Sequence, residues 1–213
     1  MIPRILDRLS NSVPNKNWIT DQSGLPWLAL DITVPHKQIY QEWLKVSHLS
    51  VPHRDSDLVG KTGYTHRGWR SLTLHGVAPD ITEQSDLVHG WTGVADRCPI
   101  TKSWLEEHFV IAGAKRIRFM LLEAGGYILP HADTIDSRLG AVNTAITNPE
   151  GTEFHMLHRG KLPFRPGRSL MLDLSNQHWV VNRSDQPRLH IIVHAAVQSN
   201  IVEKSYANLC NRD

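Results

Sequence analysis

The amino-acid sequence predicts a mainly β protein with flanking helices, and the strongest evidence lies after residue 116. From there the chain is a series of short runs rich in Val, Ile, Leu and aromatic residues, separated by Gly, Pro, Asn and Asp. About eight such runs occupy about eighty residues, and none has a helical period. This spacing is typical of an antiparallel sandwich, a barrel or a jelly roll. The runs are RIRFMLLEAGG, YILPH, LGAVNTAITNP, TEFHML, KLPFRPG, SLMLDL, HWVVN and RLHIIVHAAV.

The residues before 116 are mixed in character and predict an N-terminal α/β portion. The stretch PHKQIYQEWLKVSHL predicts a helix, and HRGWRSLTLHG alternates loosely enough to predict a strand. A second helix is predicted over TKSWLEEHFVIAGA, with Thr101 as a candidate N-cap and Gly113 as a candidate end. The apolar positions with helical spacing in the first helix are Ile39, Trp43, Leu44 and Val46.

The chain is expected to form one domain, because it contains no internal repeat, low-complexity tract or Pro/Gly linker. We divide this single domain, residues 1–213, into three parts. Residues 1–115 form the N-terminal support, residues 116–196 the jelly-roll core, and residues 197–213 a C-terminal tail that is either a short helix or disordered.

Composition argues against several classes of function. The 213 residues are 40% hydrophobic and carry a net charge of +2, with Lys and Arg scattered, so neither nucleic acid nor an anionic membrane is an expected partner. The two cysteines, Cys98 and Cys210, lack CxxC spacing and suit a reducing cytosol. The N-terminal residues lack the apolar core of a signal peptide, and no run approaches the roughly 18 apolar residues of a membrane span. We therefore expect a cytoplasmic protein; the oligomeric state is left open.

Three residues form a candidate metal site. His131 and Asp133 stand two apart after a hydrophobic run, and His178 begins the later strand HWVVN. Two imidazoles and a carboxylate suit Fe(II) with open coordination positions. We expect Gly125 and Gly126 to turn the chain between two strands, the second of which carries His131 to the mouth of the barrel.

Arg188 adds to this set. It lies ten residues after His178, beyond the polar turn NRSDQP, and a hairpin would bring it back to the same mouth. A buried arginine needs an anionic partner, and a bidentate carboxylate is the natural one. Because no nearby acidic residue supplies that partner, a carboxylate ligand is expected.

The pattern His131-x-Asp133, His178 and Arg188 resembles the Fe(II)/2-oxoglutarate-dependent oxygenases, and within them the aspartyl/asparaginyl β-hydroxylase-like group, which is related to the bacterial free-proline hydroxylases. The similarity covers roughly residues 116–196. Asp133 is a departure from the animal aspartyl β-hydroxylases, which lack that carboxylate, and resembles the proline-hydroxylase side. The motifs are RFMLLEAGGYILPHAD, RLGAVNTAITNPEG and LPFRPGRSLMLDLSNQHWVVNRSDQPRLHIIVH.

The resemblance implies a double-stranded β-helix, a distorted jelly roll, with His131, Asp133 and His178 as catalytic ligands of Fe(II). It further implies that 2-oxoglutarate chelates the metal while Arg188 pairs with its far carboxylate. With O2 as oxidant, such enzymes release succinate and CO2 and hydroxylate an unactivated C–H bond. The substrate class implied is small and amino-acid-like, or peptidyl.

Weaker candidates surround this set. On the alternating strand LGAVNTAITN, Asn143 either touches the cosubstrate or substrate or is an ordinary strand asparagine. Arg138 either binds a substrate carboxylate or is a solvated loop charge. Arg67 and Arg70 would suit an acidic substrate but equally form a solvated basic edge, and His190 shares the strand face of Arg188.

Two other functions remain open. A non-catalytic, cupin-like jelly roll that binds a metal or a small molecule would share the β pattern and the histidines but would not explain Arg188. A zinc hydrolase also uses two histidines and a carboxylate. It normally comes with a helical HExxH or a general base beside the ligands, and the sequence contains neither.

Overall fold

The computed structural model describes residues 25–54, 66–81, 89–133 and 141–210. It confirms the predicted class, a curled antiparallel sheet with flanking helices. The described residues form four α-helices: α1 His36–Val46, α2 Gly93–Asp96, α3 Pro99–His108 and α4 Ser199–Cys210. A 3₁₀ turn, Ser47–Leu49, follows α1. The sequence left open whether the C-terminal tail is a short helix or disordered; residues Ser199–Cys210 of it form helix α4. No described helix is long and apolar enough to cross a membrane.

Thirteen strands occur among the described residues, and eleven of them form the main sheet. Eight lie in the order β1-β10-β7-β12-β6-β11-β8-β9, and β3 joins them through β6 and carries β2 and β4. The remaining two, β5 and β13, pair with each other. The strands are β1 Trp27–Ala29, β2 Val51–Pro52, β3 His66–Gly76, β4 Gly90–Trp91, β5 Phe109–Val110, β6 Arg116–His131, β7 Val142–Ala145, β8 Thr152–Met156, β9 Gly160–Lys161, β10 Ser169–Leu172, β11 His178–Asn182, β12 Arg188–His194 and β13 Ala196–Val197.

Strand β6 is the centre of this sheet. Along one edge it pairs with β3. Along the other edge, residues 116–122 pair with β12 and residues 127–131 pair with β11. The hairpin expected between β11 and β12 is therefore wrong, since both strands pair with successive halves of β6.

The expected turn at Gly125 and Gly126 is also wrong, because β6 runs through both residues as one bent strand. Gly125 has a φ of 69°, which glycine adopts without a steric cost. At Gly126 a Cβ would lie 2.8 Å from the Glu123 carbonyl oxygen and 2.9 Å from the Arg67 carbonyl oxygen. The two glycines therefore permit a kink and a close approach of β3, and the sheet curls there.

Helix α1 is confirmed, but its buried face includes a charged residue. Leu44 is 48% exposed, whereas Glu42 is 4% exposed. The Glu42 carboxylate accepts hydrogen bonds from the backbone N–H groups of Ile100 (2.8 Å) and Thr101 (2.9 Å), and from Thr101 Oγ1 (2.6 Å). Glu42 thus satisfies N–H groups at the start of α3, which a helix cannot pair internally.

The predicted bounds of α3 are wrong at both ends. The helix begins at Pro99, whose fixed φ suits the first helical position, and Cys98 rather than Thr101 is the N-cap residue. It ends at His108 instead of Gly113, because Phe109 is extended and pairs with β13.

Two groups of buried apolar residues flank the sheet. The larger group joins α1 and α3 to the sheet and includes Ile39, Trp43 and Phe119. The smaller group lies within the curl and includes Phe154 and Val180. Strand β6 contributes side chains to both groups, because alternate residues of a strand point to opposite faces of the sheet. A cavity opens on the second face.

Candidate active site

His131 and His178 are placed together by strand pairing. His131 ends β6 and His178 begins β11, where the two residues are direct cross-strand partners. Their ring centroids are 4.3 Å apart. Asp133 follows just beyond β6, held by its backbone N–H, which donates to the Leu174 carbonyl at 2.9 Å. One ligand atom from each of His131, Asp133 and His178 lies within 4.8 Å of the others.

The orientation of both rings is fixed through Nδ1. His131 Nδ1 donates to the Leu129 carbonyl at 2.7 Å, and His178 Nδ1 donates to the Asn176 carbonyl at 3.0 Å. Because a carbonyl only accepts, Nδ1 carries a proton in both rings, and Nε2 is the nitrogen that can offer a lone pair to a metal. Such a hydrogen bond is what commonly orients a metal-binding histidine. The Phe154 ring stacks on His178 with centroids 5.5 Å apart and planes inclined by 11°.

The donor set fits a divalent transition metal. Two imidazole nitrogens and one carboxylate oxygen on one face of an ion, with further positions open, are typical of non-haem Fe(II) sites. The same donors also suit catalytic zinc. The chemistry of the site therefore depends on what else faces these three residues.

A cavity of about 180 Å³ lies against the three residues. Arg188, which begins β12, lines it and is 4% exposed. Burial lowers the pKa of the Arg188 guanidinium to about 9. Its Nη2 donates to His190 Nδ1 at 2.8 Å, while its Nε has no hydrogen-bond partner among the described residues. A buried guanidinium with an unused donor, facing a cavity, is suited to a carboxylate.

Asn143 and His190 extend this contact. His190 Nδ1 also lies 2.6 Å from Asn143 Oδ1. Burial, and then the charge of Arg188, holds the pKa of His190 well below its usual value, so the ring is neutral. In a neutral ring Nδ1 either accepts from Arg188 or donates to Asn143, so the tautomer decides which bond forms. Asn143, for which the sequence left a cavity contact and an ordinary strand position open, lines the cavity.

A second basic group in the cavity was missed from the sequence. Arg118 is 4% exposed and lines the cavity with Arg116, Arg54 and His53. Burial lowers the pKa of Arg118 well below its usual value, and the charges of Arg116 and Arg54 lower it further, whereas that of Asp133 raises it. The signal was present: in RIRFML, alternation puts Arg116, Arg118 and Met120 on one face of a buried strand, where arginine is rare.

The other candidates lie elsewhere. Arg138 falls outside the described residues. Arg70 contacts Ser50, with Nε donating to Ser50 Oγ at 3.1 Å and Nη2 to the Ser50 carbonyl, so it ties β3 to the chain before β2. Arg67 is not among the described residues that line the cavity.

Comparison with known proteins places this site in a family context. A family model described as aspartyl/asparaginyl β-hydroxylase matches residues 35–196. A search of the curated proteins finds no match. Among solved structures, a prolyl hydroxylase from Trichoplax adhaerens, in complex with a hypoxia inducible factor peptide fragment, is 14% identical. The alignment covers 95% of this chain and 94% of that chain, with a TM-score of 0.55.

Two further solved structures are more distant. A prolyl-4-hydroxylase from Pseudomonas putida is 14% identical with a TM-score of 0.47, over 93% of this chain and 98% of that chain. The viral collagen prolyl hydroxylase of Paramecium Bursaria Chlorella virus-1 is 13% identical with a TM-score of 0.45, over 80% and 96%. At such identities a structural likeness speaks for the fold alone, and the Trichoplax structure supports the jelly-roll core.

Proposed function

Because the chain belongs to the aspartyl/asparaginyl β-hydroxylase family, we propose that it is an Fe(II)- and 2-oxoglutarate-dependent dioxygenase. It hydroxylates an unactivated C–H bond of a small amino-acid-like or peptidyl substrate and releases succinate and CO2. The observation that carries the proposal is the convergence of His131, Asp133 and His178 within 4.8 Å on a cavity that also contains the buried Arg188.

The metal would be held by His131 Nε2, His178 Nε2 and a carboxylate oxygen of Asp133. Their support is rigid, because both histidines lie on paired strands and donate through Nδ1 to backbone carbonyls. Bound Fe(II), together with 2-oxoglutarate and O2, supplies the oxidative decarboxylation that drives C–H hydroxylation. The share of the protein is to fix the geometry of the ligands and the access to the open positions.

Arg188 binds the far carboxylate of 2-oxoglutarate. The guanidinium is buried, so its hydrogen bonds to a carboxylate form with little competition from water. When its Nδ1 is unprotonated, His190 accepts a hydrogen bond from Arg188 Nη2 and holds it in place, and Asn143 offers its amide to the cosubstrate from the neighbouring strand. Two phenyl rings, those of Phe154 and Phe164, have centroids 6.0 Å from the Arg188 guanidinium and keep water from it.

The walls of the cavity favour a small target. Its volume of about 180 Å³ is below the roughly 300–1,000 Å³ of sites for drug-sized ligands. Apolar side chains on two strands, Met120 and Ile128 of β6 and Val180 of β11, line it beside the polar residues. Because Fe(II) and 2-oxoglutarate would share this space, only a small group of a substrate enters beside them, and the apolar lining excludes water around the target carbon.

The test is succinate release. The protein is purified without oxygen, and succinate is measured after addition of Fe(II), 2-oxoglutarate and O2, with and without a panel of free amino acids and short peptides. We expect turnover that requires Fe(II) and increases with a substrate from the panel. Asp133→Asn should abolish it, whereas Asp185→Asn, the same change at an exposed turn residue, should retain it.

Metal binding without succinate release under any of these conditions would overturn the proposal. That result would favour the cupin-like alternative, a jelly roll that binds a metal or a small molecule without catalysis.

A further inference from the structure

Strand β6 changes its partner between the two ends of the cavity. Leu122 is the cross-strand partner of Arg188 on β12, and His131 is that of His178 on β11. Residues 123–126 lie between these two pairs and, although all three strands are described, pair with neither β11 nor β12. The ladder that holds each pair therefore stops at this joint of β6. The spacing between the two pairs depends on what bridges the joint.

One buried side chain, that of Asn182, bridges it. Asn182 ends β11 and is 0% exposed. Its Nδ2 donates to the carbonyl oxygens of Leu122 at 3.2 Å and Glu123 at 3.0 Å, both on β6. The same nitrogen lies 2.7 Å from the carbonyl oxygen of Gln186, two residues before Arg188. The amide thus contacts β6 where its partner changes and also contacts the turn that leads into β12.

The orientation of this amide is fixed from its oxygen side. Asn182 Oδ1 accepts hydrogen bonds from the Ser184 backbone N–H at 3.1 Å and from Thr152 Oγ1 of β8 at 3.0 Å. Because a backbone N–H only donates and a carbonyl only accepts, Oδ1 and Nδ2 cannot exchange places. Both N–H groups are therefore directed at the three carbonyl oxygens. A buried amide whose hydrogen bonds are all formed holds its neighbours rigidly.

The bridge joins the two groups that the cosubstrate would span. His178 lies four residues before Asn182 on β11, and Arg188 lies opposite Leu122, whose carbonyl accepts from Asn182. A 2-oxo diacid with its keto-acid end at the metal and its far carboxylate at Arg188 must match the distance between them. One methylene more or less changes its length by about one carbon–carbon bond, about 1.5 Å. In a rigid site, a displacement of about 1 Å already has a large effect.

Resting on the proposed function, we infer that Asn182 is a positioning residue that sets the distance between the metal and Arg188, and thereby the chain length of the 2-oxo diacid that the site accepts. Five-carbon 2-oxoglutarate fits the bridged site. Four-carbon oxaloacetate and six-carbon 2-oxoadipate do not match both ends. Without the bridge the two halves of the site can shift, so the distinction between these acids decreases although the metal ligands are retained.

The test is the binding of the three acids, which requires no turnover. Each acid is titrated by calorimetry, without oxygen, into the Fe(II)-loaded protein. We expect the wild-type protein to bind 2-oxoglutarate at least about tenfold more tightly than either of the other two acids. In Asn182→Ala this ratio should fall to less than about threefold, because the hydrogen bonds that hold the spacing are lost. The Fe(II) affinity should not change. A wild-type ratio in Asn182→Ala would overturn the inference.

A matched control separates this effect from a general loss of stability. Ile39→Ala removes apolar contacts from the larger group of buried residues and lowers the free energy of unfolding without touching the bridge. At a temperature where the variant is folded, it should keep the wild-type ratio. A ratio that falls equally in Ile39→Ala would show that any loss of stability has this effect, and it would contradict a positioning role for Asn182.

Ser184→Ala decides the question if Asn182→Ala does not fold. Ser184 is half-buried in the turn, and its Oγ lies 2.6 Å from Asn182 Oδ1 and 2.8 Å from the Gln186 carbonyl oxygen. Its loss loosens the amide without removing it. We expect the ratio to fall by about two- to threefold, less than in Asn182→Ala, because a single hydrogen bond is lost. The wild-type ratio in Ser184→Ala would then overturn the inference.

Failure of the proposed function would give a different result. If the Fe(II)-loaded wild-type protein binds none of the three acids, the proposed function fails and the inference fails with it. If the wild-type protein prefers 2-oxoglutarate and the variants keep that preference, the inference alone fails.

Discussion

The two halves of β6 differ in chemistry although they belong to one strand. Residues 127–131 pair with β11 and end at His131, whose imidazole faces that of His178. Residues 116–122 pair with β12, and this half contributes Arg118 opposite the strand that begins with Arg188. One half therefore presents an imidazole that can bind a metal, and the other half presents guanidinium groups.

The kink at Gly125 and Gly126 explains how one strand serves both roles. Because the strand bends there, β11 and β12 pair with it in succession and their inner faces converge on one cavity. A metal-binding end and an anion-binding end thus share a wall whose spacing is fixed by backbone hydrogen bonds. Breaking either end should therefore give a different defect.

Removing a metal ligand should have the largest effect. His178→Ala removes one of the three proposed metal ligands. We expect Fe(II) affinity and succinate release to fall by more than about 100-fold. Loss of a residue that only hydrogen-bonds to a metal ligand already lowers metal affinity or activity by about 10- to 100-fold. Iron content and turnover are the measurements. The matched control is His155→Ala, a histidine on the outer face that stacks on Trp179 with centroids 5.0 Å apart. Iron retained by His178→Ala would contradict the assignment.

Removing the charge of Arg188 should affect the other end selectively. In Arg188→Met we expect the KM for 2-oxoglutarate to rise about 10- to 100-fold, because a buried charge-assisted contact to a carboxylate is lost. Fe(II) affinity without cosubstrate should change little. Stability should not fall much, since an uncompensated buried charge is removed with the side chain. Equal losses of iron and 2-oxoglutarate binding would show that the two ends are not separate.

His190 should act through Arg188. His190→Phe removes the acceptor of Arg188 Nη2 while keeping an aromatic ring beside Phe164, whose centroid is 4.9 Å away. We expect a rise of about 3- to 10-fold in the KM for 2-oxoglutarate, the effect of one hydrogen bond of about 1 kcal/mol. His190→Gln, which restores an acceptor, should recover part of it. A larger effect on kcat than on KM would argue against a positioning role.

The buried neutral histidines predict a pH dependence of stability. In the unfolded chain His53 and His190 bind a proton near pH 6.5, whereas in the folded protein their lowered pKa values keep them neutral. The stability they contribute is present above about pH 6.5 and is lost as the pH falls. We expect the free energy of unfolding of metal-free protein to fall with pH, and His53→Gln to reduce that slope by up to about 1.4 kcal/mol per pH unit. An unchanged slope would contradict a neutral His53.

The outer face of the sheet should tolerate change. Arg183 Nη1 and Glu153 Oε2 form an ion pair at 3.0 Å, and the Arg183 side chain is 66% exposed. Arg183→Met should reduce the free energy of unfolding by less than about 1 kcal/mol, the usual range for exposed pairs, without a change in turnover. A large loss of activity would show that the site extends beyond the cavity.

Much of this arrangement could be predicted from the sequence because it depends on local patterns. Short apolar runs with turn residues between them predicted the β core, and the spacing of His131, Asp133 and His178 predicted a cluster that the fold brings together. Alternation along the strand grouped Asn143 with Ala141 and Ala145 but left open whether it faces the cavity, where the structure places it.

The remainder depends on contacts between distant residues. The pairing of β11 and β12 with β6 cannot be derived from the turn NRSDQP, which alone suggests a hairpin. The contribution of Glu42 to the start of α3 joins residues 58 apart and has no local signal. A pair of glycines is as compatible with a turn as with a kinked strand, and only the close approach of Arg67 distinguishes them at Gly126.

The most direct test is an anaerobic titration of the Fe(II)-loaded protein with 2-oxoglutarate, followed by absorption. We predict a new iron-dependent band that saturates at one equivalent in the wild-type protein, is absent in His178→Ala, and needs about 10- to 100-fold more 2-oxoglutarate in Arg188→Met. No band in the wild-type protein, or the same titration curve in all three proteins, would contradict a shared cavity with a metal end and an anion end.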